Sequence, residues 1–131
     1  MVEIRTKTEI MELSKKSIER LEGVDSRLKA VVLKCAEDCP FPFNVSEGLR
    51  TEERQLEMYK LGKSKTLQSK HLDGLAVDLY PLTMDRKKVD WDGFGRLADL
   101  MFKAADAVGA RIVWGGNWKR FVDKPHFELS F

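Results

Sequence analysis

The sequence predicts a small α+β domain in which helices pack on a short, mostly antiparallel sheet. The first observation is the length of 131 residues, which corresponds to a single domain. The second is the composition, with 43% hydrophobic and 34% charged residues, which is enough to bury a core. The third is the order of the periodic segments, which is α-α-β-α-β-α-β-β. We therefore expect one compact domain over residues 1–131.

Four segments have the periodicity of helices, and each is bounded by residues that begin or end helices. The first has a capping box formed by Thr6 and Glu9 and ends at Gly23, so that residues 1–23 form an N-terminal helix. The second helix is predicted to begin at Asp25 or Ser26 and to end before Pro40. The third covers residues 51–61, and the fourth covers residues 94–108 and ends at Gly109.

Four further segments are predicted to form strands. Residues 41–48 form a short strand that is entered through prolines. Residues 75–80 alternate with a period of two, which is typical of a half-buried strand. Residues 111–114 and 120–131 form the two final strands, and a turn at residues 115–118 separates them.

Charge and hydropathy exclude several classes of protein. The formal net charge is only +2, with no basic half or tail, which argues against a dedicated nucleic-acid binder. The N-terminus is charged and lacks the apolar segment of a signal peptide, and no apolar run is long enough to span a membrane. We therefore expect a cytoplasmic protein without stable membrane association. In that compartment Cys35 and Cys39 are expected to be reduced, half-buried thiols.

Histidine gives the strongest indication of chemistry, because the chain has only 2. His71 precedes a Leu-Asp-Gly turn and Asp78 follows on a predicted strand, so the turn can bring both side chains to one metal ion. Near the C-terminus, a bend at Pro125 can bring Asp123 and His126 toward one pocket. The alternative for each histidine is a hydrogen-bonded core or surface residue without a ligand.

Two imidazoles and one carboxylate are a common ligand set for a catalytic zinc ion that keeps one position for water. Zinc lowers the pKa of that water to about 7, and a carboxylate outside the ligand set can act as general base. Spacing alone leaves Asp123 and Glu128 open for this role. Arg50 lies where a strand gives way to a helix and can present its guanidinium to a carbonyl group. The alternative for Arg50 is a solvent-exposed position at the start of the helix.

The segment Ser69-Lys-His-Leu-Asp-Gly-Leu-Ala-Val-Asp78 resembles the S-x-H-x-x-G-x-A-x-D motif of a group of zinc peptidases. This group includes D-Ala-D-Ala carboxypeptidases and dipeptidases as well as L-alanyl-D-glutamate endopeptidases. Four more segments resemble the L-alanyl-D-glutamate branch, which includes bacteriophage endolysins and bacterial cell-wall peptidases. These segments are 47–55, 62–66, 114–118 and 123–128. The resemblance covers roughly residues 24–131, and its motifs occur in the expected order.

The resemblance implies a role for each matching residue. The implied site consists of the zinc ligands His71, Asp78 and His126, the catalytic base Asp123, the catalytic and substrate-binding Arg50, and the substrate-binding residues Ser69 and Gln55. Within this set, Gln55 is expected to support its neighbours from behind rather than to form the contact surface itself. Arg50 would stabilise the oxygen of the substrate carbonyl. One departure is Asn117, because relatives often have Asp at this position. If this side chain helps to orient a metal ligand, the missing charge affects only that orientation, since no implied ligand is missing.

The resemblance also implies an activity, which is hydrolysis of the L-Ala–D-Glu bond in peptidoglycan stem peptides by a phage or prophage endolysin. Such an enzyme would be a cytoplasmic monomer that reaches the periplasmic cell wall after a holin opens the membrane. Two alternatives share the site: a D,D-carboxypeptidase or dipeptidase, and a non-catalytic, zinc-stabilised module that binds peptidoglycan. The charge balance disfavours a metal-dependent nuclease.

Overall fold

The structure, a computed structural model, describes residues 12–64 and 68–131. Within these residues the elements follow the predicted order. The helices are α1 (Lys15–Arg20), α2 (Ser26–Asp38), α3 (Glu52–Lys60) and α4 (Phe94–Val108). The strands are β1 (Phe43–Glu47), β2 (Ala76–Pro81), β3 (Ile112–Trp114) and β4 (His126–Leu129). Short 3₁₀ helices cover Lys70–Asp73 and Gly115–Asn117.

The strands form one open sheet in the order β1-β2-β4-β3, and every neighbouring pair is antiparallel. Helices α2 and α4 pack against each other, and their apolar stripes join one face of the sheet in a single core. The sheet contributes fully buried side chains to this core, among them Val77, Leu79, Phe127 and Leu129. The α+β fold class is therefore confirmed, with a sheet that is antiparallel throughout the described residues.

Strand alternation separates the core from the polar face of the sheet. On β2, Val77 and Leu79 point into the core, so Asp78 between them points to the opposite face. On β4, Phe127 is buried in the core, so His126 and Glu128 on either side of it face away from the core. Three polar side chains from two neighbouring strands thus share one face of the sheet.

A β-bulge in β1 adds a fourth polar side chain to this face. Val45 pairs with Leu79 and Glu47 pairs with Asp78, so Ser46 is an extra residue in the strand. In a regular strand, Glu47 would point to the same side as the buried Val45. The bulge reverses this direction and places Glu47 opposite Asp78 on the polar face.

Several boundaries differ from those predicted. The capping box at Thr6 and Glu9 lies outside the described residues, and α1 instead has Ser14 as its N-cap. The last strand is shorter than the predicted 120–131, because the chain before His126 is a loop that includes a proline and a residue with positive φ, Phe121.

The two cysteines are more deeply buried than predicted. Cys35 and Cys39 are free thiols that are 1% and 4% exposed, because Cys35 on α2 and Cys39 at the C-cap of this helix both belong to the core. Among the described residues, no helix combines the length and the apolar character that crossing a bilayer requires.

Candidate functional site

Three potential metal ligands converge on the polar face of the sheet. The Nε2 atom of His71 lies 3.2 Å, and the Nδ1 atom of His126 lies 3.4 Å, from the same carboxylate oxygen of Asp78. The three ligand atoms lie within 4.8 Å of one another. The two imidazole rings meet edge to face with their centroids 5.1 Å apart. In the part of the chain that the structure describes, no other His, Cys, Asp and Glu side chains form such a group.

The backbone explains why these residues meet although they are distant in sequence. Asp78 and His126 are direct partners in the antiparallel pairing of β2 with β4. His71 lies in the 3₁₀ helix that Ser69 begins, since the Ser69 hydroxyl accepts a hydrogen bond from the His71 backbone N–H over 3.2 Å. Gly74, with a φ of 71°, ends this helix and returns the chain toward β2. The turn therefore places His71 over the strand that carries Asp78.

Hydrogen bonds orient both imidazoles. The Nδ1 atom of His71 lies 2.8 Å from the carbonyl oxygen of Gly48, and the Nε2 atom of His126 lies 2.8 Å from a carboxylate oxygen of Glu128. A ring N–H that donates to each of these oxygens leaves the other ring nitrogen as the lone-pair donor. Those two nitrogens are the ones that face Asp78. The donor set therefore fits a divalent transition metal such as Zn²⁺.

Lys70 links this arrangement to the end of β4. Its ammonium group lies 2.9 Å from the second carboxylate oxygen of Glu128 and donates a hydrogen bond over 3.1 Å to the carbonyl oxygen of Leu129. Glu128 is thus held between Lys70 and His126, on the side of the His126 ring away from Asp78. Both carboxylate oxygens of Glu128 are therefore engaged, one by His126 and the other by Lys70.

Arg50 is buried at 6% exposure, which excludes the solvent-exposed alternative. Both oxygens of Glu47 accept hydrogen bonds from its guanidinium, over 2.8 Å and 2.7 Å. A third nitrogen donates over 2.6 Å to the side-chain oxygen of Gln55, and the Gln55 amide donates over 2.9 Å to the hydroxyl of Ser64. One guanidinium nitrogen also lies 3.7 Å from Asp78. The planar fork of Arg50 is therefore fixed beside the potential metal ligands.

Asp123 is placed by close packing of its loop against Gly115. The Asp123 N–H donates over 2.9 Å to the Gly115 carbonyl, and the His126 N–H donates over 3.2 Å to the Asp123 carbonyl. A Cβ atom on Gly115 would lie 2.3 Å from that Asp123 carbonyl oxygen, so only glycine permits this approach. The Trp114 indole N–H donates over 2.6 Å to the Lys124 carbonyl and fixes the same loop. This turn brings Asp123 and His126 into the wall of one cavity.

The cavity has a volume of about 380 Å³. Its wall contains six of the seven site residues implied by the sequence: Arg50, Ser69, His71, Asp78, Asp123 and His126. The seventh, Gln55, is 1% exposed and lies behind Arg50 rather than in the wall. Its hydrogen bond to Arg50 fits the supporting position expected from the motif. Asn117 is exposed and does not line the cavity.

The charges of the metal-ligand group perturb one another. Burial alone would raise the pKa of Asp78, but hydrogen bonds and charges from His126 and His71 outweigh it and hold that pKa well below its usual range. Burial opposes protonation of His126, yet its hydrogen bonds to Asp78 and Glu128 prevail and raise its pKa to about 9. The ion-pair network therefore keeps Asp78 anionic and makes His126 hold its proton in the absence of a cation.

Asp123 is shifted in the opposite direction from Asp78. Burial raises the pKa of the Asp123 carboxyl, and the negative charge of Asp78 raises it further, against the positive charges of His126, His71 and Arg50. A carboxylate with a raised pKa is a stronger base than an ordinary aspartate, which is the property that general base catalysis requires.

Sequence reasoning did not single out Glu47, Lys70, Ser64 or Trp118 as residues of the site. The Trp118 ring lies 5.1 Å from the His126 ring and lines the cavity. Glu47 and Lys70 lie inside the recognised motif segments, so their positions were a usable signal. Their roles were not predictable, because they depend on the bulge in β1 and on the pairing of β2 with β4.

Comparisons with known proteins identify related sequences. The chain is 34% identical over 87 residues to the L-alanyl-D-glutamate peptidase of Listeria phage A118, an alignment that covers 66% of this chain and 30% of that protein. It is 31% identical over 99 residues to the Bacillus subtilis peptidoglycan L-alanyl-D-glutamate endopeptidase CwlK, covering 65% of this chain and 59% of that protein. The chain therefore spans only part of the length of these two relatives. It is 26% identical over 122 residues to the L-alanyl-D-glutamate peptidase of Escherichia phage T5, covering 88% of this chain and 87% of that protein.

Solved structures show the same fold. The crystal structure of the Serratia marcescens L-Ala D-Glu endopeptidase ChiX matches with a TM-score of 0.84 and 38% identity, covering 92% of both chains. A zinc complex of the vancomycin resistance D,D-pentapeptidase VanY matches at fold level only, with a TM-score of 0.50, 16% identity, and coverage of 81% of this chain and 72% of that one. A sequence model of the phage L-alanyl-D-glutamate peptidase family matches residues 10–129. The chain belongs to the phage L-alanyl-D-glutamate peptidase family.

Proposed function

We propose that this protein is a zinc-dependent endopeptidase that hydrolyses the L-Ala–D-Glu bond of peptidoglycan stem peptides. The observation that carries the proposal is the convergence of a His-Asp-His ligand group, Asp123 and Arg50 on one cavity. The activities for which the phage relatives, CwlK and ChiX are named support this choice of bond. Among zinc peptidases of this fold, the alternative D,D-peptidase activity is supported only by the distant likeness to VanY.

His71, Asp78 and His126 would hold the zinc ion, which supplies a Lewis acid for the scissile carbonyl and acidifies water. Asp123 lies in the same cavity wall and takes the proton of the attacking water, since its raised pKa favours proton uptake. It then gives this proton to the leaving amine of D-Glu. Arg50, fixed by Glu47, donates to the oxygen on which negative charge develops.

Contacts in the structure support a role for each of two further residues, Glu128 and Ser69. Glu128 is already bound to both His126 and Lys70, so Asp123 is the better candidate for the general base. Ser69 begins the 3₁₀ helix that carries His71 and also lines the cavity, which fits a residue that contacts the peptide backbone of the substrate.

In the cell, the same activity would make the protein an endolysin that acts as a monomer. We infer that it accumulates in the cytoplasm of the producing cell and reaches the wall after a holin opens the membrane. The two phage relatives support this inference.

The test is digestion of purified peptidoglycan by the wild-type protein and by Asp123→Asn, each with and without a chelator, followed by mass spectrometry of the released peptides. Wild type should release peptides that begin at D-Glu, and chelation should abolish the release. Asp123→Asn should lower the rate roughly 10²- to 10⁴-fold, the usual contribution of a general base. Asp106→Asn, on the exposed face of α4, is the matched control and should keep full activity.

Other outcomes separate the alternatives. Release of D-Ala alone would assign the protein to the D,D-carboxypeptidases. Binding to peptidoglycan without release of any peptide would leave the non-catalytic binding module.

A further inference from the structure

One lysine in the cavity wall is distinguished by its charge environment. Among the described residues that line the cavity, three are Lys or Arg: Arg50, Lys63 and Lys70. Arg50 is paired with Glu47, and Lys70 is paired with Glu128. Among the described residues, Lys63 has no carboxylate within ion-pair distance, and its side chain is exposed to the cavity and to solvent. Of the Lys and Arg residues that the structure describes in the cavity wall, Lys63 is therefore the one whose charge is available to a ligand.

The backbone of Lys63 is held in a defined place relative to Arg50. Helix α3 ends at a turn in which Gly62 has a φ of 73°, and the Lys63 N–H then donates over 2.9 Å to the carbonyl of Met58. The next residue, Ser64, is linked to Arg50 through Gln55, by hydrogen bonds of 2.9 Å and 2.6 Å. The loop that carries Lys63 is thus tied to the guanidinium that would hold the substrate carbonyl oxygen.

The chemistry of the stem peptide supplies a matching anion. Its D-Glu residue is joined to the next residue through the γ-carboxyl group, so the α-carboxylate stays free. This carboxylate is attached to the same carbon as the nitrogen of the scissile amide. A substrate whose carbonyl oxygen is held by Arg50 must therefore carry a negative charge within a few ångströms of the bond that is cut.

We propose that Lys63 binds the free α-carboxylate of D-Glu and thereby determines specificity for this residue on the leaving side of the bond. This inference rests on the proposed function. Arg50 is assigned to the carbonyl oxygen in the proposed mechanism, and the Lys70 ammonium already binds Glu128 and the carbonyl oxygen of Leu129. The exposed bases Lys119 and Lys124 of the neighbouring loop are not part of the cavity wall.

The experiment compares two soluble stem peptides that differ only in the D-Glu residue. One carries the free α-carboxylate, and the other carries its α-amide, D-isoglutamine. Wild type should cleave the acid with a kcat/KM roughly 10- to 100-fold above that for the amide, the usual range for a charge-assisted hydrogen bond. Lys63→Met should remove this preference by lowering kcat/KM for the acid, with little change for the amide. Lys63→Arg should keep most of the preference, and added salt should reduce it in the wild type.

Lys60→Met is the matched control, because Lys60 is exposed on α3 and does not line the cavity. It should keep the wild-type preference, and Lys63→Met should match the wild type in zinc content and thermal unfolding. Equal cleavage of both peptides by the wild type would overturn the inference. An equal loss of kcat/KM on both peptides in Lys63→Met would also overturn it, as would a preference for the acid that survives this substitution. Failure of the wild type to cleave either peptide would instead refute the proposed endopeptidase function.

Discussion

His126 lies between two carboxylates that have different tasks. Its Nδ1 atom faces Asp78, whereas its Nε2 atom is 2.8 Å from Glu128. A carboxylate that accepts the N–H of a metal-binding imidazole fixes the orientation of the ring and makes the other nitrogen a better ligand. Lys70 holds Glu128 in place for this purpose. Zinc affinity should therefore depend on a residue that does not contact the metal.

We predict that Glu128→Gln weakens zinc binding roughly 10- to 100-fold, because a neutral amide orients and polarises the His126 ring less strongly. Competition with a chromophoric chelator measures this affinity directly and does not require turnover. Glu53→Gln, an exposed substitution on α3, serves as control and should leave the affinity unchanged. An unaltered zinc affinity in Glu128→Gln would show that Glu128 has no part in positioning His126.

The sequence predicted the members of the site better than their contacts. The motif segments identified the potential ligands and Asp123, and the structure brings these residues to one cavity. Gln55 matched the motif and was expected to support the substrate-binding residues, and the structure has it buried behind Arg50. Spacing could not predict the hydrogen bonds of Gln55 to Arg50 and Ser64, because these depend on how the chain folds on either side of α3.

At the level of elements, two irregular features beside the regular strands shape the site. The bulge at Ser46 turns Glu47 toward Arg50, and the tight turn before β4 brings Asp123 beside His126. The element order and type were predictable from periodicity. The bulge was not. The last strand was predicted too long, because the chain before His126 is a loop with a proline and a positive φ at Phe121.

We predict that Gly115→Ala lowers activity at least 10-fold and destabilises the fold by about 1–3 kcal/mol, the usual cost of overpacking. The added Cβ would lie 2.3 Å from the Asp123 carbonyl oxygen, so the loop that carries the proposed base must move. Peptidoglycan hydrolysis and denaturant unfolding measure the two effects. Gly95→Ala is the matched control, since nothing lies within 4 Å of the added atom and α4 should tolerate alanine. Equal behaviour of the two variants would refute the packing argument.

At the level of the whole molecule, the sheet separates an apolar core from a charged face. The core side chains of β2 and β4 alternate with Asp78, His126 and Glu128, so folding itself brings these ionisable groups together at low solvent exposure. Such a group stabilises the fold only while its charges are balanced. A proton and a bound cation can each provide this balance. Rising pH removes the proton but not the cation, so the stability of the protein should respond to pH in opposite ways without and with the cation.

We predict that the chelator-treated protein becomes less stable by about 2 kcal/mol between pH 6.5 and 8.5. The pKa of His126 is raised from 6.5 to about 9 in the folded chain, so its stabilising proton is fully present below 6.5 and is lost as pH rises toward 9. Asp78 stays ionised throughout this range, because its pKa is lowered. Zinc-loaded protein should show the reverse trend, since the metal competes with the same proton and binds more tightly as pH rises.

Urea unfolding at both pH values measures these two trends, and His126→Gln should abolish the decline in the chelated sample. A chelated wild type whose stability is constant or rises over this range would exclude His126 as the residue that links pH to folding.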